Sequence, residues 1–304
     1  MMSLLAFYTT TLGLLAPMLA CVGIGTIWGR RRLPYSGEFV SLLVTTVGVP
    51  ALVFHTLVTT QLDDRLLLEI GAATVLALVF ANALCALALR LLHMPVRALM
   101  QTAAFPNAGN LGLPLAALAF GDTGFSAAVV FFAVCAFAQN TIGVRTLPGA
   151  NVGKVWRSPV LLAAVAAVVC RAFDVPVPAW TLESAQLLGR ITVPLMLMSL
   201  GYALSAIPSS GLRAGSVLAV MRLGFGALSG FLAAWMLGLS LDMRALMVMQ
   251  MSMPCAVISY MFATRYTNKG EVSAGAVLVS TALFLLLLPI TLALIDAPAA
   301  QGLH

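Results

Sequence analysis

Two short stretches of the sequence place polar and helix-breaking residues inside runs that are otherwise apolar. They are FPNAGNLGLP at residues 105–114 and MQMSMPCAVISY at residues 249–260. Proline removes a backbone donor and clashes with the preceding helical turn, and glycine loosens the backbone, so each stretch should interrupt a helix. The half-helix after each interruption begins with unpaired N–H groups that carry about half a positive charge. Two such ends close together would bind an anion, in particular a carboxylate.

The side chains of the two stretches suit an anion site. The first stretch offers amide donors that avoid the desolvation cost of a buried cation, and the second offers an amide and two hydroxyls. The residues of the predicted site are Asn107, Gly109, Asn110, Gly112, Gln250, Ser252 and Ser259, with the helix breakers Pro106, Pro114 and Pro254. The simpler alternative is that proline and glycine only kink packed helices, as is common in membrane proteins. Two interruptions in corresponding positions favour a binding site over this alternative.

The composition predicts an all-α integral membrane protein. The chain has 304 residues, of which 61% are hydrophobic and 9% are charged. Apolar runs of about 20 residues, long enough to cross a bilayer, recur along almost its whole length. An unpaired peptide group in hydrocarbon costs several kcal/mol, so the interrupted stretches should face protein or a water-filled cavity. The pI near 9.4 arises from basic residues in short loops, which argues against a nucleic-acid partner.

The apolar runs predict ten transmembrane helices. No basic residue precedes the first run, and Arg30, Arg31 and Arg32 follow it, so we expect this helix to be retained rather than cleaved as a signal peptide. The predicted crossings are residues 5–28, 38–60, 66–91, 97–119, 123–144, 158–174, 184–205, 212–236, 243–264 and 272–295.

The distribution of charge predicts the orientation. Loops after odd-numbered crossings contain eleven Lys or Arg residues, whereas loops after even-numbered crossings contain four. Arg222 belongs to neither group because it falls early in the eighth crossing. Positive loops face the cytoplasm, so both termini should be extracytoplasmic.

The prolines indicate that the chain is an inverted duplication. Pro50 and Pro106 are 56 residues apart, and Pro194 and Pro254 are 60 residues apart, in the corresponding crossings of two halves. Because five crossings is an odd number, the halves enter the membrane from opposite faces. The predicted repeats are residues 1–145 and 158–304, joined by a short cytoplasmic connection at 146–157, with broken fourth and ninth helices that cross each other.

The interrupted stretches also carry a family resemblance. The run PNAGNLGLP at 106–114, the stretch QMSMPCAVISYMFATRYT at 250–267 and TVPLMLMSLGYAL at 192–204 resemble the fourth, ninth and seventh helices of the auxin efflux carrier family. This family includes bacterial permeases of the malonate-transporter type. The likeness covers essentially the entire chain.

The resemblance implies an arrangement and a mechanism. Helices 1, 2, 6 and 7 would form a scaffold, and helices 3–5 and 8–10 a mobile transport domain that moves like an elevator. The resemblance also adds Cys255 and Ala256 to the substrate site, which it places at the crossing of the two broken helices. It further implies a multi-pass protein of the bacterial inner membrane that forms a homodimer through the scaffold.

Other polar residues in the crossings are weaker candidates. His55, five residues after Pro50, could contact the substrate or titrate near neutral pH. Gln139 and Asn140 in the fifth crossing are expected to bridge helices, and the alternative is that they line the substrate site. Asn82, and the aromatic residues Phe105 and Tyr260, could line the site or belong to the core.

The predicted function is secondary transport of a small organic anion, such as malonate or an auxin-like monocarboxylate. No Cys/His spacing indicates a metal or cofactor, and the only adjacent Asp pair, Asp63 and Asp64, lies in a loop, so enzyme chemistry is not expected. No carboxylate falls in the middle of a crossing, which argues against a carboxylate proton relay. Anion export driven by the membrane potential alone, coupling to H⁺ through His55, and coupling to Na⁺ bound by crossover carbonyls, Asn, Gln and Ser all stay open. The alternatives are a sodium-coupled symporter of the bile-acid type and a membrane sensor without turnover.

Overall fold

The computed structural model describes residues 4–149, 158–206 and 211–295. Within these ranges every regular element is a helix, and the β contact is a single isolated antiparallel bridge between Pro106 and Cys255. The predicted central connection falls largely on residues 150–157, including the basic Lys154 and Arg157, and these lie outside the described ranges.

The helices follow the apolar runs closely. In chain order the α-helices of the described residues are α1 Leu4–Arg30, α2 Gly37–Leu43, α3 Val49–Thr59, α4 Asp64–Leu91, α5 Val96–Ala104, α6 Leu113–Ala138, α7 Val144–Thr146, α8 Pro159–Ala172, α9 Ala179–Arg190, α10 Thr192–Ala206, α11 Leu212–Met236, α12 Leu241–Met251, α13 Val257–Tyr266 and α14 Gly270–Ile295. Three π-helical turns, at Val44–Gly48, Ala108–Gly112 and Gln139–Gly143, continue directly into α3, α6 and α7.

Six helical spans of the described chain are long and apolar enough to cross a membrane, which confirms a multi-pass helical membrane protein. They are Gly37–Thr59, Asp64–Leu91, Ala108–Thr146, Ala179–Ser205, Leu212–Met236 and Gly270–Leu288. The helix Pro159–Ala172 is apolar but shorter. The total of ten crossings and their arrangement as inverted repeats stay predictions.

The helix α6 changes direction at Gly121, between the predicted fourth and fifth crossings. This residue has φ 63° and ψ −156°, a conformation that is accessible to glycine and strained for other residues. The apparent single helix therefore consists of two helices joined by a one-residue turn, and the acidic Asp122 begins the second.

Small residues allow the long helices to pack closely. α1 lies along α10, where Gly25 faces the carbonyl group of Met198. α3 packs on α8 and α9, while α11 packs against α4, α12 and α14, with Gly215 next to Gly275. Since lipid tails are as apolar as leucine, close packing through small residues is the main attraction available between membrane helices.

Candidate functional site at two interrupted helices

Both polar stretches interrupt their helices. α5 ends at Ala104, Phe105 is extended with φ −99° and ψ 125°, and the next helical turn starts only after Asn107. α12 ends at Met251, and α13 begins after Ala256, which has φ −62° and ψ 130°. Proline and glycine therefore break the helix at the positions that the sequence indicates.

The two breaks form hydrogen bonds with each other. The N–H of Asn107 donates to the carbonyl oxygen of Pro254 at 2.8 Å, and the N–H of Ala256 donates to that of Phe105 at 3.3 Å. Pro106 lies opposite Cys255 between these bonds, at a position that needs no N–H of its own. The segments thereby satisfy peptide groups that would otherwise be unpaired inside the membrane.

Arg222 lies where the first halves of both interrupted helices end. It is fully buried in α11, and its guanidinium donates to the carbonyl oxygens of Ala104 and Met251, the last residues of α5 and α12. A helix C-terminus carries about half a negative charge. One buried cation therefore compensates two helix ends at once.

Arg222 is the candidate site residue that sequence reasoning missed. Its signal was available, because Arg222 lies eleven residues into the apolar helix Leu212–Met236, where an arginine is expensive in a membrane and usually marks a site. In the count of basic residues by loop, Arg222 belongs to neither group, so the count assigns it no role. Only the fold shows that the two helix ends meet beside it.

The second halves begin with Asn107 and Ala256. The carbonyl oxygen of Asn107 accepts hydrogen bonds from the N–H groups of Leu111 and Gly112, at 3.4 and 3.2 Å. Its side chain is 5% exposed, and its amide nitrogen has no hydrogen-bond partner within the described residues. The N–H groups that open each half-helix also lack an acceptor in their own helix. Donors are therefore in excess at this point.

Gln250 links the two interrupted helices. Its side chain is fully buried, and its amide nitrogen donates to the carbonyl oxygen of Gly112 at 2.9 Å. Its own amide oxygen has no partner among the described residues. A Cβ atom at position 112 would overlap the Gln250 amide, so glycine is needed there for close approach.

The predicted hydroxyl ligands use their hydrogens locally. Ser252 donates to the carbonyl oxygens of Val248 and Met249 at 2.7 and 3.0 Å, and Ser259 donates to that of Ala256 at 2.6 Å. Cys255 is also fully buried, and its N–H donates to the hydroxyl of Ser280 at 3.0 Å. Both serines therefore stabilise the backbone of the crossover in this conformation.

The remaining predicted members follow Asn107 in the π-helical turn and the start of α6. Gly109 is buried, and a Cβ atom there would overlap the side chains of Met196 and Phe132. Asn110 is half-buried, whereas Pro114 is buried in the first turn of α6.

The amide side chains of the fifth crossing do not bridge helices as expected. Gln101 donates to the backbone carbonyl oxygen of Gln139 at 3.0 Å, whereas the side-chain amide nitrogen of Gln139 is buried without a hydrogen-bond partner within the described residues. Asn140 is exposed and bonds the Ala136 carbonyl oxygen of its own helix, so its predicted bridging role is wrong. Asn82 likewise bonds within its helix, to Leu78.

His55 lies in a different cavity. This cavity measures about 670 Å³, and the residues that line it include His55, Thr59, Asp122, Ser126 and Arg190. No residue of 105–112 or 250–259 is among the described residues that line it. The structure therefore separates His55 from the rest of the predicted site.

One turn of helix connects the cavity to the crossover. Val193 lines the cavity, and Met196, three residues later in α10, packs on Gly109. Phe132 of α6 packs on the same glycine, so Met196 and Phe132 together cover the crossover on that side. The described residues contain no group of three His, Cys, Asp or Glu residues that could hold a metal ion.

Two comparisons relate this chain to known proteins. A family model described as "Membrane transport protein" matches residues 33–155 and 152–292. A curated protein described as an uncharacterized transporter, from Methanocaldococcus jannaschii, is 25% identical over 195 residues. That match covers 60% of this chain and 63% of the relative, so the chain spans less than two thirds of the relative's length.

Proposed function

The chain belongs to the family of membrane transport proteins, and we propose that it is a secondary transporter of a small organic anion. The substrate is a mono- or dicarboxylate, with malonate as the first candidate, and it binds where the two interrupted helices meet. The protein acts in the bacterial inner membrane without a cofactor.

The observation that carries this proposal is the asymmetry of charge at the crossover. Arg222 binds the carbonyl ends of α5 and α12, so the negative ends of both first halves already have a partner. The positive ends that start at Asn107 and Ala256 have no acidic partner in their own stretches, since neither 105–114 nor 249–260 contains Asp or Glu. A carboxylate supplies the missing negative charge.

The hydrogen-bonding capacity agrees with a carboxylate ligand. A carboxylate only accepts hydrogen bonds and has room for about four. The unpartnered amide nitrogen of Asn107 and the opening N–H groups of each second half are all donors. The carbonyl oxygens of Phe105, Asn107 and Pro254 already accept hydrogen bonds, so the acceptor left for a cation is the unpartnered amide oxygen of Gln250.

The 670 Å³ cavity is the aqueous approach to this site. His55 and Arg190 line it, and an arginine draws an anion from solution. Met196 and Phe132 close the inner side of the approach in this conformation, which keeps Asn107 almost inaccessible.

Two groups of helices support an elevator-type movement. α1 packs with α10, and α3 with α8 and α9, whereas α11 packs with α4, α12 and α14. The crossover belongs to the second group, and Met196 of the first group touches Gly109. Sliding of the second group past Met196 would carry the bound anion towards the other face.

Transport by reconstituted protein tests this function. Vesicles that contain the purified chain and unlabelled malonate should accumulate labelled malonate by counterflow, and other carboxylates should compete. Replacing Asn107 should abolish the counterflow. Wild-type protein that moves no carboxylate, or that is inhibited by organic cations rather than anions, would refute the proposal.

A further inference from the structure

We infer that Arg222 is a built-in cation that takes the place of a coupling ion, so that transport runs without Na⁺. The part of this inference that concerns transport rests on the proposed function. Its structural part concerns which cation binds the carbonyl ends of α5 and α12, and that part can be tested without any substrate.

The position of the guanidinium is that of a coupling ion. In transporters with broken helices, the N-terminal ends of the half-helices receive the anionic substrate, and the C-terminal ends with the unwound carbonyl groups bind the cation. Here the two C-terminal ends are the carbonyl groups of Ala104 and Met251, and both accept hydrogen bonds from Arg222. The cationic position is therefore filled by a side chain of the protein.

The packing around the guanidinium is tight on the side of α11. Arg222 is fully buried, and Gly226, one turn later in α11, faces both its guanidinium and the Met251 carbonyl oxygen. Even a Cβ atom at position 226 would overlap both groups. A sodium ion with its usual shell of oxygen ligands would have to displace the guanidinium.

The charge of this cation is permanent. An arginine side chain does not lose its proton in proteins, so Arg222 can neither be released like an ion nor carry a proton across the membrane. If it travels with the substrate, a bound monocarboxylate neutralises it, and the empty carrier returns with one positive charge. The membrane potential, negative inside, would pull that empty carrier inward and so favour export of the anion.

The first test measures ion binding in detergent-purified full-length protein. The proteins are wild type, Arg222→Lys, Arg222→Ala and Arg213→Ala, where Arg213 is a matched control because it is an exposed arginine of the same helix. The melting temperature of wild type should be equal in Na⁺ and in N-methylglucamine at the same ionic strength. Sub-denaturing guanidinium should raise the melting temperature of Arg222→Ala, because it refills the vacated position, and lower that of the other proteins.

The second test measures transport in vesicles. Wild-type malonate counterflow should be the same in Na⁺ and in N-methylglucamine, and net efflux should follow a potential set by K⁺ and valinomycin. The malonate flux of Arg222→Ala should be at least about tenfold lower than that of wild type, because the carbonyl ends of α5 and α12 would lack a compensating cation. Added guanidinium should restore part of the rate in this variant only, and Arg213→Ala should behave like wild type.

Three outcomes separate the inference from the proposed function. Sodium-dependent melting or sodium-dependent flux in wild type would overturn the inference, even if malonate is transported. Full activity of Arg222→Ala without guanidinium would also overturn it. If Arg222→Ala does not fold, the effects of Na⁺ on the melting temperature and flux of wild type and Arg222→Lys still test the inference. A wild type that ignores Na⁺ in melting and moves no carboxylate would refute the proposed function alone.

Discussion

The backbone N–H of Asn107 lies 2.8 Å from the carbonyl oxygen of Pro254, so a residue of the first half of the chain is bound to the break in the second half. This hydrogen bond holds the start of one half-helix beside the end of the other break. The amide nitrogen of the Asn107 side chain is left without a partner within the described residues, although it is buried. A buried donor in this state is costly unless a ligand satisfies it during the transport cycle.

Asn107→Ala should therefore weaken substrate binding at least about tenfold, with little effect on folding. Removing a buried donor without a protein partner costs the protein few interactions, whereas a bound carboxylate loses a hydrogen bond worth about 1.5–3 kcal/mol. We expect malonate counterflow to fall at least about tenfold. Asn82→Ala is the control, because Asn82 is an amide that bonds only its own helix, and it should retain wild-type flux. Equal flux in both variants would remove Asn107 from the site.

Gly112→Ala should destabilise the protein because the added methyl group overlaps the amide of Gln250. Overpacking of this kind costs about 1–3 kcal/mol, so the melting temperature in detergent should fall by several degrees. The double variant Gly112→Ala, Gln250→Ala should recover part of that loss, since it removes the clashing group.

The control for Gly112 is Gly23→Ala in α1. No atom lies within 4 Å of the Cβ position at residue 23, and alanine is the better helix former. This variant should melt at or slightly above the wild-type temperature.

If the losses of melting temperature in Gly112→Ala and Gln250→Ala were simply additive in the double variant, this would contradict the direct contact that the structure shows between the two residues.

Arg190→Ala should weaken capture of the substrate without changing the transport step. Arg190 is exposed and lines the 670 Å³ cavity together with Asp122, so under the proposed function we expect it to attract the approaching anion rather than to bind it at the crossover. We expect KM for malonate to rise about threefold to tenfold at low salt, and the difference from wild type to shrink as salt screens the charge.

Maximal flux at saturating malonate distinguishes this role from a role in the site itself. It should be unchanged in Arg190→Ala, and Arg213→Ala, which removes an exposed arginine elsewhere, should leave both KM and maximal flux at wild-type values. A fall in maximal flux with unchanged KM would assign Arg190 to the conformational step instead.

Ser280→Ala should destabilise the second break. The Ser280 hydroxyl accepts the N–H of Cys255 at 3.0 Å, and both residues are fully buried. Without the hydroxyl this N–H would be unsatisfied, at a cost of about 1–3 kcal/mol. The lower stability should be visible as a lower melting temperature. Ser216→Ala is the control, because that serine is half-buried and its hydroxyl donates to the Leu212 carbonyl oxygen of its own helix; a similar loss there would argue against the Ser280 contact.

The sequence was sufficient to predict where the helices break. Proline and glycine act on the backbone locally, so the interruptions at 105–107 and 252–256 follow from residue types alone. The turn at Gly121 also lies between the predicted fourth and fifth crossings, which end at residue 119 and begin at residue 123.

The contacts between helices could not be predicted in the same way. Arg222 binds the carbonyl oxygens of Ala104 and Met251 because the ends of α5 and α12 meet beside it in the fold. The sequence of α11 alone does not indicate which helix ends lie next to it. The positions of His55 and of the Ser252 and Ser259 hydroxyls depend on packing and on competing backbone acceptors. Polar residues in apolar helices identify candidates, but tertiary structure assigns them to one cavity or another.

The bridge between Pro106 and Cys255 makes the two halves of the chain dependent on each other during biogenesis. When the first break leaves the ribosome, the carbonyl and N–H groups that will pair with it have not yet been synthesised. The early segment must therefore wait in a hydrated or chaperoned state until its counterpart is inserted. A fragment that ends before residue 249 would leave the N–H of Asn107 and the carbonyl oxygen of Phe105 without the partners that the complete chain provides.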